Sequence, residues 1–167
     1  MGNFNEVKKM RTAIYAGSFD PITLGHLDVI ERGLKLFDKI IIGVAERKEK
    51  NCLFSLKERI ELVKEATKDL KNVEVKGFNG LLVDFAKANE TKIILRGLRA
   101  VSDFDFEFQN ASANRKLAPN VESAFIMTNE KYFYLNSSMV KEITRLGGSV
   151  KCFVPPAVEK KLKEKLK

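Results

Sequence analysis

The stretch Arg11–Phe37, RTAIYAGSFDPITLGHLDVIERGLKLF, decides how this chain is read. Thr12 to Ala16 is an apolar run that ends at Gly17-Ser18, and Asp20-Pro21 then turns the chain. From Thr23 onward Leu24, Leu27, Ile30, Leu34 and Phe37 recur at spacings of three and four, which predicts one face of an amphipathic helix. The unit is strand, turn, helix.

Working outward, the same unit repeats. Lys39–Ala45, Val73–Phe78, Lys92–Leu95 and Glu122–Met127 are short apolar runs that read as four further strands. Between them lie helical patterns. Ser55-Leu-Lys-Glu58 is a capping-box sequence ahead of Leu56, Ile60, Val63 and Leu70, and Leu81–Asn89 predicts a short helix. Asn136, Ser137 and Ser138 are placed to cap a helix ending at Gly147-Gly148, and Phe153-Val-Pro-Pro156 stops the chain before a basic final helix. Strands alternating with helices predict an α/β protein with a doubly wound, five-stranded parallel sheet, here as a single domain over 1–167 with a loose polar arm at Met1–Met10. One segment resists: Asp103–Phe108, DFDFEF, alternates with a period of two and by itself reads as a strand.

His26 is the only histidine and falls in the first turn of the first helix, after Gly25. A helix start presents unpaired amides and partial positive charge, so an imidazole there suits an anion, although a capping role is the plainer alternative. At the end of the fourth strand, Arg96-Gly97-Leu98-Arg99 offers two forked cations around a glycine that would let the backbone come close to a phosphate. Arg47, Lys48 and Lys50 follow the second strand, also at the crevice side of such a sheet.

Composition narrows the classes. A chain of 167 residues with 44% apolar and 31% charged residues suits one soluble core. No apolar run nears the roughly 20 residues of a membrane span, and MGNFNEVKKM lacks the apolar stretch of a signal peptide, so the expected location is cytoplasmic. Net charge is +8, of which the tail Glu159–Lys167 supplies +3. Cys52 and Cys152 have no metal-ligand spacing and read as free thiols. There is no Ser-His-Asp order, clustered cysteine, paired carboxylate set or Walker lysine loop, so hydrolysis by a nucleophile or acid pair has little to work with.

Tyr15 to His26 resembles the first signature of the nucleotidyltransferase superfamily, whose T/H-x-G-H motif stands here as Thr23-Leu24-Gly25-His26. Within it, the chain from about Arg11 to Lys165 is most similar to the bacterial phosphopantetheine adenylyltransferases. The second signature of that family, an Ile-Ser-Ser-Ser/Thr run before a basic residue, departs here to Leu135-Asn136-Ser137-Ser138 before Lys141. The resemblance implies a Rossmann-like nucleotidyltransferase fold and puts Asp103–Phe108 in a helix, with its phenylalanines in the core or at a subunit interface.

For activity it implies reversible transfer of an adenylyl group from ATP to 4'-phosphopantetheine. The products are 3'-dephospho-coenzyme A and pyrophosphate, in coenzyme A biosynthesis, by in-line displacement without a covalent intermediate. His26, Lys50 and Arg99 would be catalytic. ATP would be held by Ser18, Phe19, His26, Gly97, Leu98, Arg99, Glu107 and the run Tyr132, Phe133, Tyr134, Leu135, Asn136, Ser137 and Ser138. Phosphopantetheine would meet Ser18, Lys50, Leu82 and Arg96. Magnesium would be carried with ATP rather than by a protein metal site. The resemblance further implies a homohexamer and admits feedback by coenzyme A, with neither nucleic acid nor membrane as partner. Alternatives are another nucleotidyltransferase, acting on nicotinamide mononucleotide or with a cytidine nucleotide, and a basic RNA-binding domain.

Overall fold

The computed structural model describes residues 10–46 and 51–166. Five parallel strands form one sheet in the order β3-β2-β1-β4-β5. They are β1 (Thr12–Gly17), β2 (Lys39–Ala45), β3 (Val73–Phe78), β4 (Ile93–Leu98) and β5 (Glu122–Met127). The chain winds outward from β1 to β3, then returns to the other side of β1 with β4. The switch point therefore lies between β1 and β4, and the crevice beyond their carboxyl ends is where such a sheet binds ligands. Of the arm expected over Met1–Met10, only Met10 lies within the described residues.

Alternation along the strands sorts side chains onto two faces. Ala13, Tyr15, Ile40, Ile42, Val44 and Leu95 join the larger core. It is completed by α1 (Leu24–Gly33), α2 (Leu56–Ala66), α5 (Ser137–Arg145) and α6 (Pro156–Leu166), through Val29, Ile30, Val63, Val140, Val158 and Leu162. Ile14, Ala16 and Ile41 face the other way, onto Ala86 of α3 (Leu82–Ala88). Burying a side chain as fully as Ile42 contributes ~1.5–3 kcal/mol. The same alternation sends Arg96 to the face of α4 (Val101–Leu117) and Gly97 to the face of α1. A Cβ on Gly97 would lie 2.7 Å from Val29 Cγ2, so the glycine lets α1 seat close against β4.

Two expectations are corrected, and a third segment follows the resemblance over its local pattern. The first helix stops at Gly33, so Leu34 and Phe37 pack on the core from beyond its end. β4 runs on through Arg96-Gly97-Leu98 to pair with Phe125, Ile126 and Met127, so this motif is strand rather than the loop after it. Asp103–Phe108 lies inside the 17-residue α4, as the family resemblance implies and against its period-two pattern. Phe104, Phe106 and Phe108 are 44%, 64% and 57% exposed, so of the two places expected for them, core or subunit interface, the core is not where they lie. Aromatic residues alternating with carboxylates satisfy a strand pattern locally, but β4 and β5 already occupy that edge of the sheet and α4 crosses between them.

Candidate active site

A cavity of about 850 Å³ opens over the carboxyl ends of β1, β2 and β4. Its wall is built by Gly17, Ser18 and Phe19 after β1, His26 and Val29 of α1, Arg96 and Gly97 of β4, and Asp103 and Glu107 of α4. Leu135, Asn136 and Ser137 close it at the start of α5.

His26 has two jobs at once. As the third residue of α1 it completes a capping box in place of the usual Glu or Gln: the Thr23 amide donates to His26 Nδ1 at 3.0 Å, and the His26 amide donates to Thr23 Oγ1 at 3.4 Å. Because Nδ1 accepts that amide proton, the neutral ring carries its own proton on Nε2. Burial first, and then the positive charges of Arg99 and Arg96, lower its pKa to about 4. The imidazole is therefore a neutral, oriented N–H donor whose partly exposed ring lines the cavity. Phe19, with a left-handed φ of 47°, packs edge-on to His26 at 5.1 Å and to Tyr15 at 5.5 Å. Asp28, two residues further along α1, accepts from Arg32 and from the Asn129 amide.

Both arginines of the β4 motif reach the cavity already paired. Arg96 donates from Nε and Nη2 to the two oxygens of Glu107, at 2.6 and 2.5 Å, and from Nη1 to the Ala16 carbonyl at 2.6 Å. Arg99 donates from Nε and Nη2 to Asp103, at 2.9 and 3.1 Å, and from Nη1 to the Leu135 carbonyl at 3.0 Å. Tyr15 lies buried beside this charge cluster, and burial raises its pKa so that it stays a phenol.

Of the residues expected from sequence, the structure brings Ser18, Phe19, His26, Leu82, Arg96, Gly97, Arg99, Glu107, Leu135, Asn136 and Ser137 to the cavity wall. Asn136 caps α5 by accepting from the Met139 amide at 2.8 Å, and Ser137 donates to the Pro21 carbonyl at 2.8 Å. Leu98, Tyr132, Phe133, Tyr134 and Ser138 are not part of the wall. The Leu98 carbonyl accepts from the Thr128 amide at the β4–β5 end. Phe133 and Tyr134 are 41% and 60% exposed, and the Tyr134 ring packs edge-on to Phe153 at 6.2 Å. Lys50 lies outside the described residues.

Sequence reasoning missed the framework beneath. Asp20, 5% exposed, accepts from the Leu53 and Phe54 amides at 2.9 Å each and from Lys141 Nζ at 2.8 Å. It joins the β1–α1 turn to the entry of α2 and to α5, and it engages the basic residue of the second signature. Arg59, 2% exposed, donates to the carbonyls of Ser18, Ala45 and Phe54 at 2.6, 2.9 and 3.2 Å. In sequence Arg59 is an ordinary helix position and Asp20 an ordinary turn aspartate. Asp103 alone left a signal, four residues after Arg99 and ahead of a helical segment.

The cytidylyltransferase-like family matches residues 14–143. A phosphopantetheine adenylyltransferase from Clostridium botulinum (strain Eklund 17B / Type B) is 56% identical over 149 residues, covering 89% of this chain and 94% of the relative. One from Caldanaerobacter subterraneus subsp. tengcongensis is 56% identical over 158 residues, covering 95% and 99%. Among solved structures, one assigned as a nicotinate-nucleotide adenylyltransferase from Vibrio parahaemolyticus superposes with a TM-score of 0.69 at 20% identity, over 94% of each chain. A lipopolysaccharide core biosynthesis protein from Thermoplasma volcanium gives a TM-score of 0.52 at 23% identity, over 72% of this chain and 97% of the other. Those two show a shared fold. With identity of this order to curated relatives over nearly its whole length, the chain belongs to the phosphopantetheine adenylyltransferase family of the nucleotidyltransferase superfamily.

Proposed function

We propose that this chain transfers the adenylyl group of ATP to 4'-phosphopantetheine, giving 3'-dephospho-coenzyme A and pyrophosphate. An oxygen of the acceptor phosphate forms a bond to the α-phosphorus while the bond from that phosphorus to the bridging oxygen breaks, and pyrophosphate leaves with the electron pair. The attacking phosphate is already anionic, so the step needs no general base; it needs positioning and donors where charge develops. The observation that carries this reading is His26. Its capping bond fixes the proton on Nε2 and aims a neutral donor into a cavity that also holds Arg96 and Arg99.

In this reading His26 donates to an α-phosphate oxygen, and Arg99 with Lys50 stabilises the reacting phosphates. Arg96, Ser18, Lys50 and Leu82 receive the acceptor. ATP lies along Phe19, Gly97, Glu107 and the start of α5. Among the described residues no cluster of three His, Cys, Asp or Glu could hold a metal, and magnesium is treated as part of the nucleotide substrate. Assembly as a homohexamer is part of the proposal, and the exposed Phe104, Phe108 and Leu117 of α4 supply an apolar contact surface for it. So are coenzyme A as a competing ligand and a cytoplasmic location; no helix among the described residues is long and apolar enough to cross a membrane.

Pyrophosphate release from ATP and magnesium is the test, with 4'-phosphopantetheine, nicotinamide mononucleotide or no acceptor in parallel. Release with phosphopantetheine alone, and dephospho-coenzyme A as co-product, is the expected result. Release with the other acceptor would overturn the acceptor assignment, and silence in all three from folded protein would overturn the reaction.

A further inference from the structure

Tyr15 carries a polar atom at a place in the sheet that suits an apolar one. β1 is the middle strand of five and is covered on both faces. The Tyr15 ring fits there: it joins the larger core, packs edge-on to Phe19 at 5.5 Å and leaves the residue 6% exposed. Its hydroxyl serves no such purpose. Among the described residues it makes no hydrogen bond, and phenylalanine would fill the same space without a polar atom to satisfy. The oxygen is nonetheless not sealed in. Among the described residues no fully buried side-chain oxygen or nitrogen lacks a partner, so an oxygen without one touches open space, and Tyr15 lines the cavity. Side chains on a strand lean along it, which carries the tip of Tyr15 from two residues inside β1 towards its carboxyl end.

We propose that the Tyr15 hydroxyl is a second neutral donor to the reacting phosphate, acting beside His26. This rests on the proposed function for the identity of that group, the α-phosphate of ATP. His26 opens on the same cavity from α1, its ring 6.4 Å from the Tyr15 ring and tilted by 52° to it, so two oxygens of one phosphate lie within reach of the pair. The surroundings suit a donor rather than a base. Burial, the largest influence on Tyr15, keeps the proton on its oxygen against the pull of Arg96 and Arg99, while those two arginines draw an anion into the cavity. Donors fixed before charge develops need no rearrangement in the transition state. Tyr15 is fixed by its ring packing and His26 by its capping bond, and the hydroxyl hydrogen of Tyr15 is left to turn towards the ligand.

The test is Tyr15→Phe, which removes one oxygen and keeps the ring. Turnover and KM are read in the pyrophosphate assay for wild type and Tyr15→Phe, each with and without His26→Ala, and the melting temperature of each ligand-free protein is measured alongside. Tyr15→Phe should lower turnover about tenfold and move the KM for ATP and for 4'-phosphopantetheine less than about twofold. In the His26→Ala background its loss should shrink to about threefold or less, because two donors on one phosphate act as a unit. The ligand-free melting temperature should equal or exceed that of wild type, since no bond within the fold is lost. A lower melting temperature, or failure to fold, would show that the hydroxyl serves the fold and would overturn the inference. A raised KM with unchanged turnover would put the hydroxyl on a part of a substrate that does not react, and a full-sized loss in the His26→Ala background would put the two donors on different groups; either overturns it. Active wild type matched by Tyr15→Phe in turnover sinks this inference alone, whereas folded wild type that releases no pyrophosphate with any acceptor sinks the proposed function with it.

Discussion

Among the described residues, two capping boxes have the same local geometry and opposite consequence. At α1, Thr23 and His26 exchange bonds of 3.0 and 3.4 Å; at α2, Ser55 and Glu58 exchange bonds of 2.8 and 3.3 Å. The second stays on the surface. Lys165 of α6 first, and the Ser55 amide next, lower the Glu58 pKa to about 2, and the box does no more than tie two helices. The first sits at the sheet's switch point on a cavity wall that also holds two arginines, and its third residue is an imidazole with one nitrogen left over. A helix start becomes a candidate catalytic centre only where the topology puts substrate-sized space and positive charge beside it.

The largest test of that contrast is His26→Ala. Losing one donor that acts in the transition state should cost about 3–4 kcal/mol, or two to three decades in turnover, with a smaller loss of ATP affinity. Glu58→Ala, the matching change at α2, should leave turnover unaltered in the pyrophosphate assay. Equal losses in both variants would erase the distinction.

Acid should separate the boxes next. The folded His26 pKa of about 4 lies below the ordinary 6.5, so the unfolded chain binds the proton more readily between those values. Its contribution, about 3 kcal/mol, is whole above pH 6.5 and is lost as pH falls towards 4. Glu58 acts lower, its contribution present above pH 4.5 and lost as pH falls towards 2. Urea unfolding across this range should show His26→Gln flattening the upper window only, since glutamine at the third position can keep the box without a titrating ring. As the single histidine, His26 also gives one ring signal in a proton spectrum, and that signal should titrate near 4 rather than 6.5.

The smallest effect is at the caps themselves. Ser55→Ala should lower stability by about 1 kcal/mol and leave turnover untouched. Thr23→Val should cost a similar amount, while the Thr23 amide continues to hold Nδ1 and turnover falls less than tenfold. A collapse of turnover in Thr23→Val would show that the hydroxyl, 3.0 Å from Nδ1, orients the ring.

Much of this was legible in the residues. The bounds of β2, β3 and β5 follow from apolar runs flanked by turns, and Ser55 and Asn136 cap the helices their side chains suit. Such signals are local, because a strand buried on both faces or an unpaired amide leaves its demand within a few residues. The α4 segment was legible only through resemblance, because its aromatic alternation mimics a strand.

The sequence by itself determined the α/β alternation, the helix starts and the residues that reach the cavity on His26, Arg96 and Arg99. Only the tertiary structure decided that Glu107 and Asp103 hold those arginines, that Asp20 binds Lys141, and that Arg59 knits together the carbonyls of Ser18, Ala45 and Phe54. The reason is range. Asp20 and Lys141 are 121 residues apart, and no short-range pattern records a charge whose partner arrives from another element. Burial then makes the pairing obligatory, because a charge withdrawn from water without its hydrogen bonds would destabilise the fold around it.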